Sequence, residues 1–136
     1  MRLWHECLLP YLPDRQLLGQ HRECCALRGR GWGRRHRTVD YVFIHSPYCL
    51  FLYHRRVMNE MECRGFQPGA EWRNPGYRGR FMKPYKVLEP ICPEGLIFPE
   101  HNSSYLRECI YNLKSKGIVI PDDIGKNRED ISKNED

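Results

Sequence analysis

The chain has 136 residues, 40% of them hydrophobic and 29% charged, with a formal net charge of +5. That length supports one modest core and not two, and no apolar run approaches the roughly 20 residues that a membrane helix needs. The opening MRLWHECLLPYLP is too short, too polar and too broken by proline for a secretory signal, so a cytoplasmic protein with no membrane partner is expected.

The charge is unevenly spread. Residues 121–136, PDDIGKNREDISKNED, carry three basic and six acidic side chains, which leaves +8 on residues 1–120. A basic body favours a polyanionic partner, and nucleic acid is the commonest. The last sixteen residues lack the apolar content to fold and are expected to be a disordered tail. Seven cysteines without a CxxC pair read as reduced, mostly buried thiols. A metal site drawn from His5, Cys7, His21 and Cys24 or Cys25 is an alternative use, but its spacing matches no familiar zinc pattern.

In chain order, Asp14 follows Pro13 and is expected to cap a first helix with Leu17, Leu18, Cys24, Cys25 and Leu27 as its apolar positions. Gly29 is a natural stop. The following RGWGRRHR (30–37) is too rich in glycine and arginine for a core and reads as an exposed connection. Ser46 and Pro47 open a second helix, whose apolar face is Leu50, Tyr53, Val57 and Met61. Gly65 closes it in a left-handed conformation, with Arg64 in its last turn and Phe66 packing back. Residues 67–100 hold six prolines and four glycines and exclude a helix of ordinary length, leaving VLEP and LIF as short extended pieces. Asn102 then caps a third helix carrying Leu106, Cys109, Ile110 and Leu113; Gly117 ends it, and residues 118–120 return to the core. The fold class is a mainly α domain of about three helices over residues 1–120, with long irregular connections.

One carboxylate, Glu23, lies among cations in QLLGQHRECCALRGR. On a helix it leans toward its N-terminal side, over Gly19, where no side chain stands. Either another backbone packs against Gly19 or there is room for a bound group beside Glu23. Arg22 and Glu23 are about 100° apart on the helix and do not face each other well.

LLGQHRE, then YCLFLYHRRVMNEMECRGF, then GYRGR and FPEHNSSYLRECIYNLKSKGI together resemble phage-type endonuclease V. That family comprises pyrimidine-dimer DNA glycosylases with abasic-site lyase activity, and MRLW is similar to its bacterial branch. The likeness covers most of residues 1–120, with extra residues here at about 80–97. It implies a DNA-repair enzyme acting as a monomer on damaged or abasic duplex DNA without a cofactor. It implies catalysis by an N-terminal α-amine that forms a Schiff base with the deoxyribose, with Glu23 as the catalytic carboxylate. Since Arg2 blocks removal of the initiator methionine, the implied nucleophile is the amine of Met1. Arg2, Arg22, Arg28, Arg30, Arg34, Arg35 and Arg37 are the implied DNA-binding residues. The chain departs from the family at Gln16, where a histidine is usual, and at Ala26, where an arginine is. Its tail is acidic where the phage enzyme's is aromatic and basic, a role that WRNPGYRGRFMKPYK (72–86) could take over. A non-catalytic nucleic-acid-binding domain of the same fold would keep the arginines and need neither the amine nor Glu23.

Overall fold

Residues 3–6, near the first described residue, are among the most deeply buried. Leu3, Trp4, His5, Glu6, Leu8, Leu9 and Leu12 are all buried in the computed structural model, which describes residues 2–29 and 38–121. A short 3-10 helix forms from Glu6–Tyr11, and residues 2–4 ahead of it belong to no helix or strand. Buried backbone outside regular structure must find its hydrogen bonds elsewhere. Here the partners are side chains of all three α-helices, α1 (Asp14–Arg28), α2 (Pro47–Cys63) and α3 (Ser103–Ser115).

From α1, the Gln20 amide donates to the Arg2 carbonyl at 3.1 Å and accepts from the Trp4 N–H at 2.7 Å. From α2, the Tyr53 hydroxyl reaches the Trp4 carbonyl at 2.6 Å. From α3, the Tyr105 hydroxyl donates to the Leu3 carbonyl at 2.5 Å. Leu3, Leu8, Leu9 and Leu12 meanwhile join Leu17, Cys24, Tyr53, Val57, Phe98, Leu106 and Leu113 in one hydrophobic core.

The α1 and α2 helices pack against each other, and the first 3-10 helix lies against α2. Further 3-10 helices, Asp40–Ile44 and Ala70–Arg73, punctuate the connections, and the described residues contain no strand. Residues 67–100 are irregular as expected, apart from that last helical turn. The mainly α fold with three principal helices is as the sequence indicates. The segment 30–37 and nearly all of the acidic tail lie outside the described residues.

Local capping follows the sequence at α2 and α3. The Ser46 hydroxyl accepts the Tyr48 N–H, and Gly65 (φ 91°) turns the chain so that Phe66 N–H reaches Met61 O at 2.9 Å. The Asn102 side chain caps α3 through the Tyr105 N–H. At α1 the expectation needs correcting. Pro13 holds the cap position and Asp14 is already helical. The Asp14 carboxylate pairs instead with Arg64 at 3.0 Å. Arg64 also donates to the Leu12 carbonyl at 2.6 Å, tying the end of α2 to the end of the first 3-10 helix. Gly29 does end α1, but with φ −88° rather than a left-handed turn. Its need for glycine is spatial: a Cβ there would lie 2.9 Å from the Arg78 carbonyl oxygen.

Two buried histidines make the fold sensitive to acid. Burial, reinforced by the neighbouring Arg28, pushes the imidazole of His54 down to about 2. Burial, and then His5, pushes His101 down to about 3. Both values fall below the ordinary 6.5, so the unfolded chain takes up protons that the folded chain refuses. Stability is therefore intact above about pH 6.5 and is lost as the pH falls below it, by up to about 1.4 kcal/mol per pH unit per histidine. Urea unfolding at pH 7.5, 5.5 and 4.5 should show the midpoint falling with pH, and falling less steeply in His54→Gln. Equal slopes in the two proteins would contradict this.

Candidate functional site

Glu23 occupies one flank of α1 and is half-buried. Its Oε2 accepts a 2.8 Å hydrogen bond from the Gln20 amide, which also holds the Arg2 carbonyl. Gln20 is buried and every polar position of its amide is used. The nitrogen donates to Arg2 O and Glu23 Oε2, and the oxygen lies 2.7 Å from the Trp4 N–H and 2.6 Å from the Tyr53 hydroxyl. The tyrosine has one proton to share between Gln20 Oε1 and Trp4 O, both at 2.6 Å. This pattern admits one orientation of the amide. Gln20 thus binds the first residues of the chain and the carboxylate of Glu23 into one unit.

Burial raises the Glu23 carboxyl above its ordinary value, against the opposing pull of the Gln20 amide and of Arg22. A carboxyl held in this way is suited to take up and release protons. Arg22 is exposed and makes no ion pair among the described residues, so it is not locked to Glu23. Its guanidinium lies over Gly19, where a Cβ would meet Arg22 Nη2 at 3.6 Å and nothing else within 4 Å. Among the described residues no backbone packs on Gly19, and only the end of the Arg22 side chain lies over it. A glycine inside a helix costs about 1 kcal/mol relative to alanine, and no contact among the described residues calls for this one.

The arginines separate into distinct groups. Arg22 is available to a ligand. Arg2 is half-buried, with its guanidinium 5.8 Å from the rings of Trp4 and Tyr105 and 3.6 Å from a Glu108 oxygen. Arg28 does not belong to a DNA-facing rim, contrary to the sequence expectation. It is buried and donates to the carbonyls of Trp72, Asn74 and Tyr77 at 2.7 to 3.0 Å, with Phe51 and Trp72 rings about 5 Å away. It anchors the loop after the third 3-10 helix. Arg30, Arg34, Arg35, Arg37 and Met1 lie outside the described residues.

The opposite flank of α1 holds a second polar cluster. His21 Nδ1 lies 2.8 Å from His54 Nε2, and the Cys25 sulfur lies 3.9 Å from each. These three side chains are near enough to surround a metal ion. The grouping differs from the sequence expectation: His5 Nδ1 accepts the Cys7 N–H, and Cys24 is in the core. Arg28 defines the chemistry of the cluster. Its Nη1 lies 2.9 Å from His54 Nδ1, and a guanidinium can only donate. His54 Nδ1 is then the acceptor, Nε2 carries the proton, and that proton points at His21 Nδ1. A metal ligand needs a bare nitrogen where this chain of hydrogen bonds puts an N–H. The cluster reads as a relay closing α1 on α2, and burial keeps the Cys25 thiol protonated by raising it to about 11.

All seven cysteines are free thiols. Cys24, Cys49 and Cys109 are buried, whereas Cys63 and Cys92 are exposed. In the 72–86 stretch, Trp72 and Tyr77 pack on each other edge to face, Arg78 stacks over Tyr85 at 4.4 Å, and Phe81 projects into solvent.

The raised Glu23 carboxyl predicts a stability signature. The folded state favours the protonated acid, so the stability Glu23 contributes is present at low pH and lost as the pH rises through its folded value. Glu23→Gln removes that loss. Its Tm should exceed the wild type's at pH 7, and the two should converge near pH 4. A Glu23→Gln protein that is less stable at pH 7 would contradict the burial of an ionised carboxylate.

Comparison with protein families finds a match over residues 1–74 to the family described as pyrimidine dimer DNA glycosylase. Comparisons with curated proteins and with solved structures each found no match. The matched region holds the buried first residues, all of α1 with Gln20, Arg22 and Glu23, and all of α2 with Tyr53. The chain belongs to the pyrimidine dimer DNA glycosylase family.

Proposed function

We propose that this protein is a DNA glycosylase with abasic-site lyase activity, that its nucleophile is the α-amine of Met1, and that Glu23 is its catalytic carboxylate. The observation carrying this reading is the Gln20 amide, hydrogen-bonded both to the main chain of residue 2 and to Glu23. Residues 2–4, which follow Met1, are held by side chains from all three helices. Ordering the start of a chain so firmly opposes its usual tendency to fray.

The chemistry suits these groups. An α-amine has a reference pKa of about 7.7–8.0, so a useful fraction is neutral near pH 7, where a lysine at about 10.4 would be almost wholly protonated. The neutral amine attacks C1′ of the damaged nucleotide. The N–C1′ bond forms as the glycosidic bond breaks, and the base leaves with the electron pair and takes up a proton. The sugar ring opens at C1′–O4′, O4′ is protonated, and an iminium remains at C1′. Removal of a C2′ proton then expels the 3′ phosphate, and water hydrolyses the imine to regenerate the amine. In this scheme Glu23 stabilises the cation while ionised and transfers the O4′ and C2′ protons. Arg22 neutralises a flanking phosphate. An amine competent only when neutral and a carboxylate competent only when ionised both lose activity as the pH falls, so the rate rises first through the carboxylate's range, again through the amine's, and then levels off.

Purified protein should nick both UV-irradiated and abasic duplexes, and borohydride should trap a covalent adduct with the abasic one. Glu23→Gln should lower turnover by about 100-fold or more, the range for loss of an acid–base group, while still forming the trapped adduct. Full turnover in Glu23→Gln, or salt-dependent DNA binding without nicking by the wild type, would contradict this assignment.

A further inference from the structure

We propose that Gly19 is the point of closest approach between α1 and the sugar–phosphate backbone of the bound DNA, with the phosphate toward Arg22 and the sugar toward Glu23. This rests on the glycosylase reading and adds a residue that determines how the lesion is seated.

A glycine in the middle of a helix needs a reason, and those internal to the fold fail here. Gly19 is helical and is not among the glycines with positive φ, which are Gly65, Gly79, Gly95 and Gly117. Among the described residues no neighbour demands the absence of a side chain, because an added Cβ would make only an ordinary contact with the end of the Arg22 side chain. Gly29, fifteen Å or so along the same helix by its rise per residue, shows the opposite situation, with a backbone oxygen pressed against it.

What does border Gly19 is chemistry for a sugar phosphate. Arg22 offers an exposed guanidinium without an ion pair among the described residues. Its planar fork matches a phosphate's oxygens. Glu23 stands one turn after Gly19 and leans toward it, held from behind by Gln20. A missing side chain between a phosphate ligand and a catalytic carboxylate lets a bulky backbone settle against the helix, a recurrent use of glycine at ligand sites. Any Cβ would hold the sugar away from Glu23 without disturbing the fold.

The test is Gly19→Ala, with Gly19→Ser as the companion variant. Thermal unfolding gives one readout, and binding gives the other, measured by fluorescence anisotropy on a duplex with a tetrahydrofuran abasic analogue and on its undamaged counterpart. Relative to wild type, Gly19→Ala should raise Tm by roughly 2–6 °C and weaken binding to the abasic analogue about tenfold or more, with little change on the undamaged duplex. Gly19→Ser should weaken abasic binding similarly. Unchanged preference for the abasic duplex in a stabilised Gly19→Ala would overturn the proposal. So would a lower Tm, since it would mean that the fold itself requires the glycine. If wild-type protein shows no preference for the abasic analogue, the glycosylase reading fails and this inference falls with it.

Discussion

The structure turns on a single amide. Gln20 has four polar positions, and all four are spent on the start of the chain, on Glu23 and on Tyr53. Three helices therefore converge on residues 2–4, and the site is a product of the core rather than an addition to its surface. Truncating Gln20 would take a partner from the buried Trp4 N–H, the part-buried Arg2 carbonyl and the half-buried Glu23 carboxylate, and the loss at a buried group costs about 1–3 kcal/mol. Fold and candidate chemistry share this residue, which accounts for its burial within an otherwise polar run, Gln20 to Glu23.

The first helix has two flanks that differ in character. On one lie Gly19, an exposed Arg22 without an ion pair among the described residues, and Glu23 with its carboxyl raised by burial. On the other, His21, Cys25, His54 and Arg28 form a closed hydrogen-bonded chain. Arg28 is a buried cation without a carboxylate partner among the described residues. Its charge is met by three carbonyls and two aromatic faces instead. Unsatisfied polar groups belong on the flank that binds a ligand, and satisfied ones on the flank that holds the helices together.

Much of this was legible in the sequence where the cause is local. Ser46, Pro47 and Gly65 bracket α2, and Asn102 and Gly117 bracket α3, because caps act within a few residues. Gly19 and Glu23 could be placed together by helix geometry alone. The clamp on the first residues could not, since its partners lie 16, 49 and 102 positions away along the chain. Gln20 read as another polar side chain, and nothing periodic marks a buried extended segment. Arg28 misled for the same reason: its carbonyl partners are 44 to 49 residues distant, and charge composition does not reveal which cation is buried. Asp14 was misplaced by one position because Pro13 takes the cap and Arg64 draws the carboxylate aside.

In the proposed scheme catalysis depends on the amine of Met1, which precedes the clamped residues 2–4. Protein trapped by borohydride on an abasic duplex can be digested and the modified peptide located by mass spectrometry. The deoxyribose remnant should sit on the α-amine of Met1, and selective acetylation of that amine should abolish trapping. A remnant on a lysine side chain, or undiminished trapping after acetylation, would contradict it.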